Sequence, residues 1–195
     1  MAIILASTSS IRQRLLESAG VTFVSRKPPV NEEELKRRMP IFAPEALAQQ
    51  LAAAKCLSMS AMYPDDLVVG ADQVLSFSGK TYDKPGNTEE ARSQLAAFRG
   101  RTHVLISAVC CARGGILLWQ YSGLAKLKMR SFSDRFLESY VAAAGADATT
   151  SVGAYKLEGQ GIQLFEHIDG DYFTILGLPL LPLLEFLRSS GEIGS

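Results

Sequence analysis

The spacing of apolar and polar residues alternates between strand-like runs and helix-like repeats along the chain. Ala2 to Leu5 is a short apolar run that predicts a buried strand. After a Ser/Thr cluster, apolar residues recur at helical spacing until Gly20, and Val21 to Val24 predicts a second strand. An alanine-rich helix is predicted from Pro44 to about Met62, because proline is favoured at the first helical position.

Strands and hairpins dominate the middle and the late part of the chain. Short turn-forming pairs and triplets separate runs that are rich in β-branched and aromatic residues, which is typical of antiparallel hairpins. The predicted strands are Leu67 to Val69, which ends in Gly70-Ala71-Asp72; Val74 to Phe77 with Lys80 to Tyr82; His103 to Ala112 with Ile116 to Met129; and Gln163 to Ile168 with Tyr172 to Leu176, around Asp169-Gly170-Asp171.

Three further helices are predicted, two between these strands and one after the last of them. Asn87 followed by Glu90 predicts a capped helix through Phe98, and Ser133 predicts one through Ala144. Leu178 to Leu187 predicts an apolar C-terminal helix. Because strands and helices interleave but hairpins are frequent, we expect a mixed α/β (α+β) sheet rather than a doubly wound parallel one.

Composition narrows the class of protein. The 195 residues are 47% hydrophobic and 21% charged, which predicts a packed globular core. Twenty basic residues balance twenty acidic ones, which argues against a generally basic nucleic-acid binder. No apolar run is long enough for a membrane span, and the first residues lack the features of a signal peptide. We therefore expect a cytoplasmic protein without nucleic-acid or membrane partners.

Histidine and cysteine are scarce. The two histidines and three cysteines show no spacing typical of a zinc site. Cys56, Cys110 and Cys111 are interpreted as buried thiols in a reducing compartment.

A serine-rich turn follows the first strand and is the first candidate site. A helix start presents free backbone N–H groups and a positive dipole end, so it attracts anions. Ser7 and Ser9 would add hydroxyl groups, and Arg12 and Arg14 would add cationic groups that suit phosphate. The alternative is a plain serine N-cap with two solvated arginines.

Two more candidates lie in the middle of the chain. Asp72, at the predicted strand end, could bind a metal or orient a water, or could form a simple turn. Lys84, next to Pro85, could neutralise phosphate, or could be a solvated turn residue.

An acidic run and a glycine-rich segment complete the candidates. Asn31 to Glu34 offers oxygen ligands of the kind that Mg²⁺ or Mn²⁺ prefers, although acids are also common at helix starts. Gly153 to Gly161 contains three glycines that would allow close backbone approach to a ligand, or would form a flexible loop.

Taken together, these segments resemble the Maf-like family of nucleoside triphosphate pyrophosphatases, also called septum-formation-inhibitor-like proteins. The resemblance covers nearly the whole chain, as one domain over residues 1–195. The blocks that carry it are Leu5-Ala6-Ser7-Thr8-Ser9-Ser10-Ile11-Arg12, Val69-Gly70-Ala71-Asp72-Gln73-Val74, Lys84-Pro85, Phe98-Arg99-Gly100-Arg101-Thr102-His103, Gly153-Ala154-Tyr155-Lys156-Leu157-Glu158-Gly159, and Ile168-Asp169-Gly170-Asp171-Tyr172 running into Gly177-Leu178-Pro179-Leu180.

The resemblance implies a fold and an activity. The fold would be an elongated mixed sheet with helices in two lobes, similar to inosine triphosphate pyrophosphatases, with the nucleotide in the cleft. The activity would be cleavage of a nucleoside triphosphate between the α- and β-phosphates, with Mg²⁺ or Mn²⁺ as cofactor. A homodimer is left open as the assembly.

The resemblance also implies roles for residues that match the family motifs. Asp72, Lys55 and Lys84 would be catalytic, and Asp72 and Glu32 would hold the metal. Ser7, with Ser9 beside it, and Arg12 would bind the triphosphate, and Glu158 would contact the base.

This chain departs from the commonest family pattern in three of these blocks. Ile11 replaces an arginine, Gln73 replaces a threonine, and Glu158 replaces a glutamine. Within the family, glutamate at the last position goes with 7-methyl-GTP, and glutamine goes with dTTP and UTP. We therefore expect a modified or guanine-type substrate, with dTTP/UTP as the alternative. A third alternative is that Glu158 pairs with Lys156 or Arg12 and never meets the base.

Two other functions stay open at this point. One is a nucleotide-binding regulator of division that has lost catalysis, although a pure binder has no need of Asp72, Lys55 and Lys84 together. The other is an unrelated phosphate-ester hydrolase, which would release orthophosphate rather than pyrophosphate.

Overall fold

The computed structural model describes residues 2–37 and 43–194, and within them the strands form one mixed sheet. The strands are β1 Ile3–Ala6, β2 Val24–Arg26, β3 Leu67–Phe77, β4 Lys80–Tyr82, β5 Thr102–Arg113, β6 Ile116–Met129 and β7 Phe165–Asp169. Their order is β2-β1-β3-β5-β6-β7, with β4 paired to β3. β1 is parallel to β2 and β3, and the remaining pairs are antiparallel. The predicted mixed α/β class is confirmed.

Helices cover both faces of this sheet. They are α1 Ser10–Ser18, α2 Glu32–Arg37, α3 Pro44–Met62, α4 Thr88–Phe98, α5 Asp134–Ala144, α6 Tyr172–Ile175 and α7 Leu180–Ser189, with 3₁₀ turns at Gly145–Thr149 and Gln160–Leu164. The bounds predicted for α3 are confirmed. So are the caps of α4 and α5, since the side chain of Asn87 accepts from the Glu90 N–H and that of Ser133 from the Phe136 N–H.

Two apolar cores lie on opposite faces of the sheet. Neighbouring residues of β1 alternate between them, because successive strand side chains point to opposite sides: Leu5 packs in the larger core and Ile4 in the smaller. The smaller core contains α3, which contributes several small residues there, including Ala48, Ala52 and Cys56. Small side chains allow α3 to approach the sheet closely.

The second strand lies later in the chain than predicted. Gly20 has a φ of +72°, and the Val21 N–H donates to the Leu16 carbonyl, which closes α1. Val21 is therefore part of the helix end, and its side chain is buried in the larger core. Of the predicted strand Val21 to Val24, only Val24 pairs with β1, and the pairing continues to Arg26.

The predicted late hairpin is wrong. β7 pairs with β6, not with a strand over Tyr172 to Leu176. Tyr172–Ile175 is a short helix instead, and the side chain of Asp171 caps it by accepting from the Thr174 N–H at 2.7 Å. The C-terminal helix begins at Leu180, two residues after the prediction.

Asp72 does not end its strand, contrary to the prediction. β1 stops at Ala6, which pairs with Gly70, whereas β3 continues along β5 as far as Phe77. Asp72 therefore lies in the middle of β3, two residues past the last pair with β1. Asp72 lies near the level at which β1 ends, but its own strand does not end there.

The cysteines are free and buried, as predicted. The Cys56 thiol lies 3.1 Å from the Val68 carbonyl. Burial raises the pKa of Cys111, and a hydrogen bond to Cys56 together with burial raises that of Cys110, so these thiols stay protonated. No helix in residues 2–37 and 43–194 is long and apolar enough to cross a membrane.

Candidate active site

A buried lysine joins two carboxylates at the centre of the site. The Lys55 ammonium lies 2.5 Å from an Asp72 carboxylate oxygen and 2.9 Å from a Glu32 carboxylate oxygen. Lys55 and Asp72 are only 6% and 7% exposed, whereas Glu32 is exposed to solvent. Partial burial raises the pKa of Glu32, but the hydrogen bond and the charge of Lys55 outweigh it and lower that pKa from its usual value. Glu32 therefore stays ionised beside Lys55.

The close approach of α3 to β3 brings Lys55 to Asp72. A Cβ atom on Gly70 would lie 2.5 Å from the Ala52 carbonyl oxygen and 2.6 Å from the Cys56 Cβ. Only glycine leaves room for this contact. Lys55 is one residue before Cys56 on the same helix, and Asp72 is two residues after Gly70 on the same strand.

Arg12 lies beside this cluster and is held by backbone carbonyls. Its Nε donates to the Gly177 carbonyl at 2.7 Å, and its Nη1 donates to the Ala71 carbonyl at 2.9 Å. Nη1 also lies 3.4 Å from the Ser7 hydroxyl oxygen. Burial lowers the pKa of Arg12 from its usual value, and the charges of Asp72 and Glu32 act in the opposite direction. The guanidinium thus belongs to the same electrostatic cluster as the two carboxylates.

The start of α1 lies next to Arg12. Ser7 is 5% exposed, and its hydroxyl oxygen accepts from the Ser9 N–H at 3.2 Å. Ser9 is the N-cap residue but makes no side-chain capping bond, and the first turn of α1 contains no acidic residue. The N–H groups and the Ser9 hydroxyl at this helix start therefore keep donors for an anion.

Lys84 follows β4 and is exposed, but its charge is coupled to the cluster. Desolvation of the ammonium lowers its pKa from the usual value, and the nearby charges of Arg12 and Lys55 lower it further. Glu32 and Asp72 raise it. The structure therefore brings together Ser7, Ser9, Arg12, Glu32, Lys55, Asp72 and Lys84.

Glu158 lies at the edge of this group. Its carboxylate is 3.7 Å from the Arg14 guanidinium, and its side chain is 22% exposed. Lys156 pairs instead with Asp147 at 2.7 Å. The alternative in which Glu158 pairs with Lys156 or Arg12 is therefore wrong about the partner, which is Arg14.

Three supports of Arg12 were not predicted from the sequence. Two are the Gly177 and Ala71 carbonyls, which are backbone groups and leave no trace in residue type. The third is Gln73, whose Nε2 lies 3.2 Å and 2.9 Å from the Thr174 and Ile175 carbonyls, in the turn that leads to Gly177. The departure from threonine at position 73 is the one signal that could have drawn attention to it.

A metal centre made only of protein ligands is absent from the described residues. No group of three or more His, Cys, Asp or Glu side chains in residues 2–37 and 43–194 could hold an ion. The two carboxylates of Asp72 and Glu32 nevertheless suit Mg²⁺ or Mn²⁺, since Mg²⁺ is usually bound by one or two carboxylates together with water and substrate phosphates. The residues present therefore fit an ion that arrives with a polyphosphate.

Comparison with known proteins places this chain in a family. The family described as "Maf-like protein" matches residues 2–190. A nucleoside triphosphate pyrophosphatase of Paramagnetospirillum magneticum is 48% identical over 97% of this chain and 98% of its own length. A 7-methyl-GTP pyrophosphatase of Rhizobium johnstonii is 44% identical over 98% of this chain and 97% of its own. The chain therefore belongs to the Maf-like family.

One solved structure gives a weaker match. A HAM1 protein from Coxiella burnetii matches with a TM-score of 0.44 at 14% identity, over 65% of this chain and 72% of that one.

Proposed function

We propose that this protein is a nucleoside triphosphate pyrophosphatase, which cleaves a nucleoside triphosphate between the α- and β-phosphates to give a monophosphate and pyrophosphate. The observation that carries the proposal is the Lys55 ammonium, which lies between the carboxylates of Asp72 and Glu32. The names of relatives that are 44–48% identical over nearly the whole chain support it.

The cationic groups would hold the triphosphate. Arg12, Lys84 and the donors at the start of α1, including Ser7 and Ser9, face the same cluster. Charge-assisted bonds to phosphate contribute about 1.5–3 kcal/mol each. They would also stabilise the negative charge that develops on the phosphates during cleavage.

Asp72 would act as the general base. Lys55 fixes the position of its carboxylate, and 7% exposure keeps bulk water away from it. Asp72 would accept a proton from a water whose oxygen bonds to the α-phosphorus. The bond from that phosphorus to the α,β-bridging oxygen breaks, and pyrophosphate leaves with that oxygen. The retained lysines and carboxylates favour this reaction over a nucleotide-binding division regulator without catalysis.

Mg²⁺ or Mn²⁺ is the proposed cofactor, with Asp72 and Glu32 as the residues that would hold it. When bound, such an ion neutralises phosphate charge and lowers the pKa of a bound water. The proposal includes a cytoplasmic location, which the free cysteines support. It also includes a homodimer, which sedimentation analysis would test.

A modified or guanine-type triphosphate, such as 7-methyl-GTP, is the substrate that Glu158 favours. A carboxylate only accepts hydrogen bonds, and a guanine edge offers N–H donors to it. The alternative class is dTTP and UTP, whose carbonyls suit an amide better.

A nucleotide panel with separate detection of pyrophosphate and orthophosphate tests the activity. We expect pyrophosphate from the wild type, and a kcat lower by at least about 100-fold for Asp72→Asn, measured at a temperature where the variant is folded. Asp65→Asn, at an exposed position before β3, is the matched control and should retain wild-type turnover. Orthophosphate as the first product would overturn the proposal, and near-normal turnover of Asp72→Asn would remove Asp72 from the mechanism.

A further inference from the structure

The side chain of Gln73 is hydrogen-bonded to the turn that leads from Thr174 to Gly177. Gln73 follows Asp72 on β3, so its side chain points to the opposite face of the sheet. Its Nε2 lies 3.0 Å from the Ser107 hydroxyl oxygen, 3.2 Å from the Thr174 carbonyl oxygen and 2.9 Å from the Ile175 carbonyl oxygen. The Ser107 hydroxyl itself donates to the Thr174 carbonyl at 2.7 Å. These bonds fix α6 to the central strands.

The same turn ends at the carbonyl that holds Arg12. The Gly177 N–H donates to the Thr174 carbonyl at 3.1 Å, and the Gly177 carbonyl accepts from Arg12 Nε at 2.7 Å. Gly177 has a φ of +92°, and a Cβ there would lie 3.5 Å from Arg12 Nη2 and 3.7 Å from Gln73 Cδ. The side chains of Arg12 and Gln73 therefore both lie beside Gly177.

We propose that Gln73 is a positioning residue for Arg12. Its amide group fixes the turn Thr174–Gly177, and the Gly177 carbonyl then sets the orientation of the guanidinium. With Nε on Gly177 and Nη1 on Ala71, the remaining Nη2 amine can donate to a phosphate oxygen. The inference rests on the proposed function, in which Arg12 binds the triphosphate.

The chemistry of the amide explains why glutamine suits this position. Its Nε2 carries two hydrogens, which the two turn carbonyls and the Ser107 oxygen share. A threonine, as in the commonest family pattern, has a single hydroxyl donor. A glutamate would bring a carboxylate towards these carbonyl oxygens, and the Ile175 carbonyl would lose its amide donor.

A double-mutant cycle tests this role. The variants are Gln73→Met, which removes the donors at similar volume, Arg12→Ala, and the two combined. We expect Gln73→Met to lower kcat/KM about 5- to 10-fold, by the same factor for every base that the wild type accepts. In the Arg12→Ala background the second substitution should have no further effect, because its action passes through Arg12.

Gln49→Met is the matched control. It removes an amide bond to the Ser122 hydroxyl of 3.1 Å, which does not involve the turn before Gly177. This variant should leave kcat/KM unchanged. Ser107→Ala is the second variant if Gln73→Met does not fold, and we expect a smaller loss that likewise disappears in the Arg12→Ala background.

Binding of inorganic tripolyphosphate separates this inference from the proposed function. Calorimetry on the whole protein should show weaker binding for Gln73→Met than for the wild type, whether or not any nucleotide is hydrolysed. If no nucleotide yields pyrophosphate, the proposed function fails, and the binding result still decides the role of Gln73. An effect that differs between bases, or losses that add in the double variant, would overturn the positioning role. A lowered melting temperature with unchanged tripolyphosphate binding would overturn it too.

Discussion

At the scale of single residues, the site is an arrangement of charges that compensate one another. Lys55 and Asp72 are almost fully buried, and a buried charge is costly unless it is paired. Arg12, Lys55 and Lys84 supply three cations against the carboxylates of Asp72 and Glu32. The excess of positive charge lies inside a chain whose formal net charge is zero. A local pocket for polyphosphate is therefore compatible with a neutral protein.

Glu158 gives a prediction about the choice of base. Its pair with Arg14 is long, at 3.7 Å, and the Arg14 side chain is 61% exposed, so the pair is weak and leaves the carboxylate available. Replacing the Glu158 carboxylate with an amide should favour a base that presents carbonyl oxygens. We expect Glu158→Gln to shift the ratio of kcat/KM from 7-methyl-GTP towards dTTP and UTP by about 10-fold, since a mispaired buried polar group costs about 1–3 kcal/mol.

Steady-state kinetics on the three nucleotides measure this shift. Glu17→Gln, an exposed acid on α1, is the control and should not change the ratio. A wild-type preference for dTTP that the Glu158→Gln substitution leaves unchanged would contradict the role of Glu158 while leaving the pyrophosphatase proposal intact.

At the scale of secondary-structure elements, the contact between α3 and β3 decides whether the site forms. The two elements lie close together at Gly70, and any side chain there would meet the backbone of α3 at Ala52 and Cys56. Backbone atoms cannot rotate away as a flexible side chain can. The helix would have to move off the strand, and Lys55 would move with it.

Gly70→Ala should therefore lower both stability and activity. Overpacking costs about 1–3 kcal/mol, and a displaced Lys55 would no longer fix Asp72. Chemical denaturation and kcat measured at a temperature where the variant is folded would check the two effects. Gly86→Ala is the control, because a Cβ there would meet only the flexible end of Glu90, at 3.4 Å or more. Equal stabilities of the two variants would contradict the prediction.

Local signals in the sequence were enough for most elements but not for all of their ends. The caps at Asn87 and Ser133 were predicted because a cap is made by residues three apart. The length of β3 was missed because its continuation past Asp72 depends on pairing with β5, which lies about 30 residues later. The late hairpin was mistaken for the same kind of reason: Asp169-Gly170-Asp171 is a good turn signal, but its last residue caps a helix.

The same contrast holds for the site: features that lie on one short segment could be predicted, and contacts between distant segments could not. Its charged residues were predicted through motifs, since each motif lies on one short segment. The carbonyl of Gly177 could not be predicted, because a contact between residues 12 and 177 depends on tertiary structure and on a backbone atom. The partner proposed for Glu158 on α1 was Arg12 rather than Arg14, because the Gly177 and Ala71 carbonyls that hold Arg12 could not be predicted either.

At the scale of the whole molecule, a buried histidine packs against aromatic rings of the larger core. His103 on β5 is 1% exposed, and its Nε2 lies 2.7 Å from the hydroxyl of Tyr155, in the segment that carries Glu158. Its Nδ1 is buried and has no hydrogen-bond partner among the described residues. Burial lowers the pKa of His103 from 6.5 to about 4, so the folded protein holds it neutral.

This neutral histidine predicts a loss of stability in mild acid. Below pH 6.5 the unfolded chain binds a proton at His103, whereas the folded chain does not until about pH 4. The free energy of unfolding should therefore be unaffected by this group above pH 6.5 and should fall as the pH is lowered towards 4, by up to about 3 kcal/mol. Urea denaturation at a series of pH values measures this slope. His103→Gln, which cannot titrate, should flatten it, whereas His167→Gln, at an exposed position on β7, should not. The same slope in His103→Gln as in the wild type would assign the acid sensitivity to other groups.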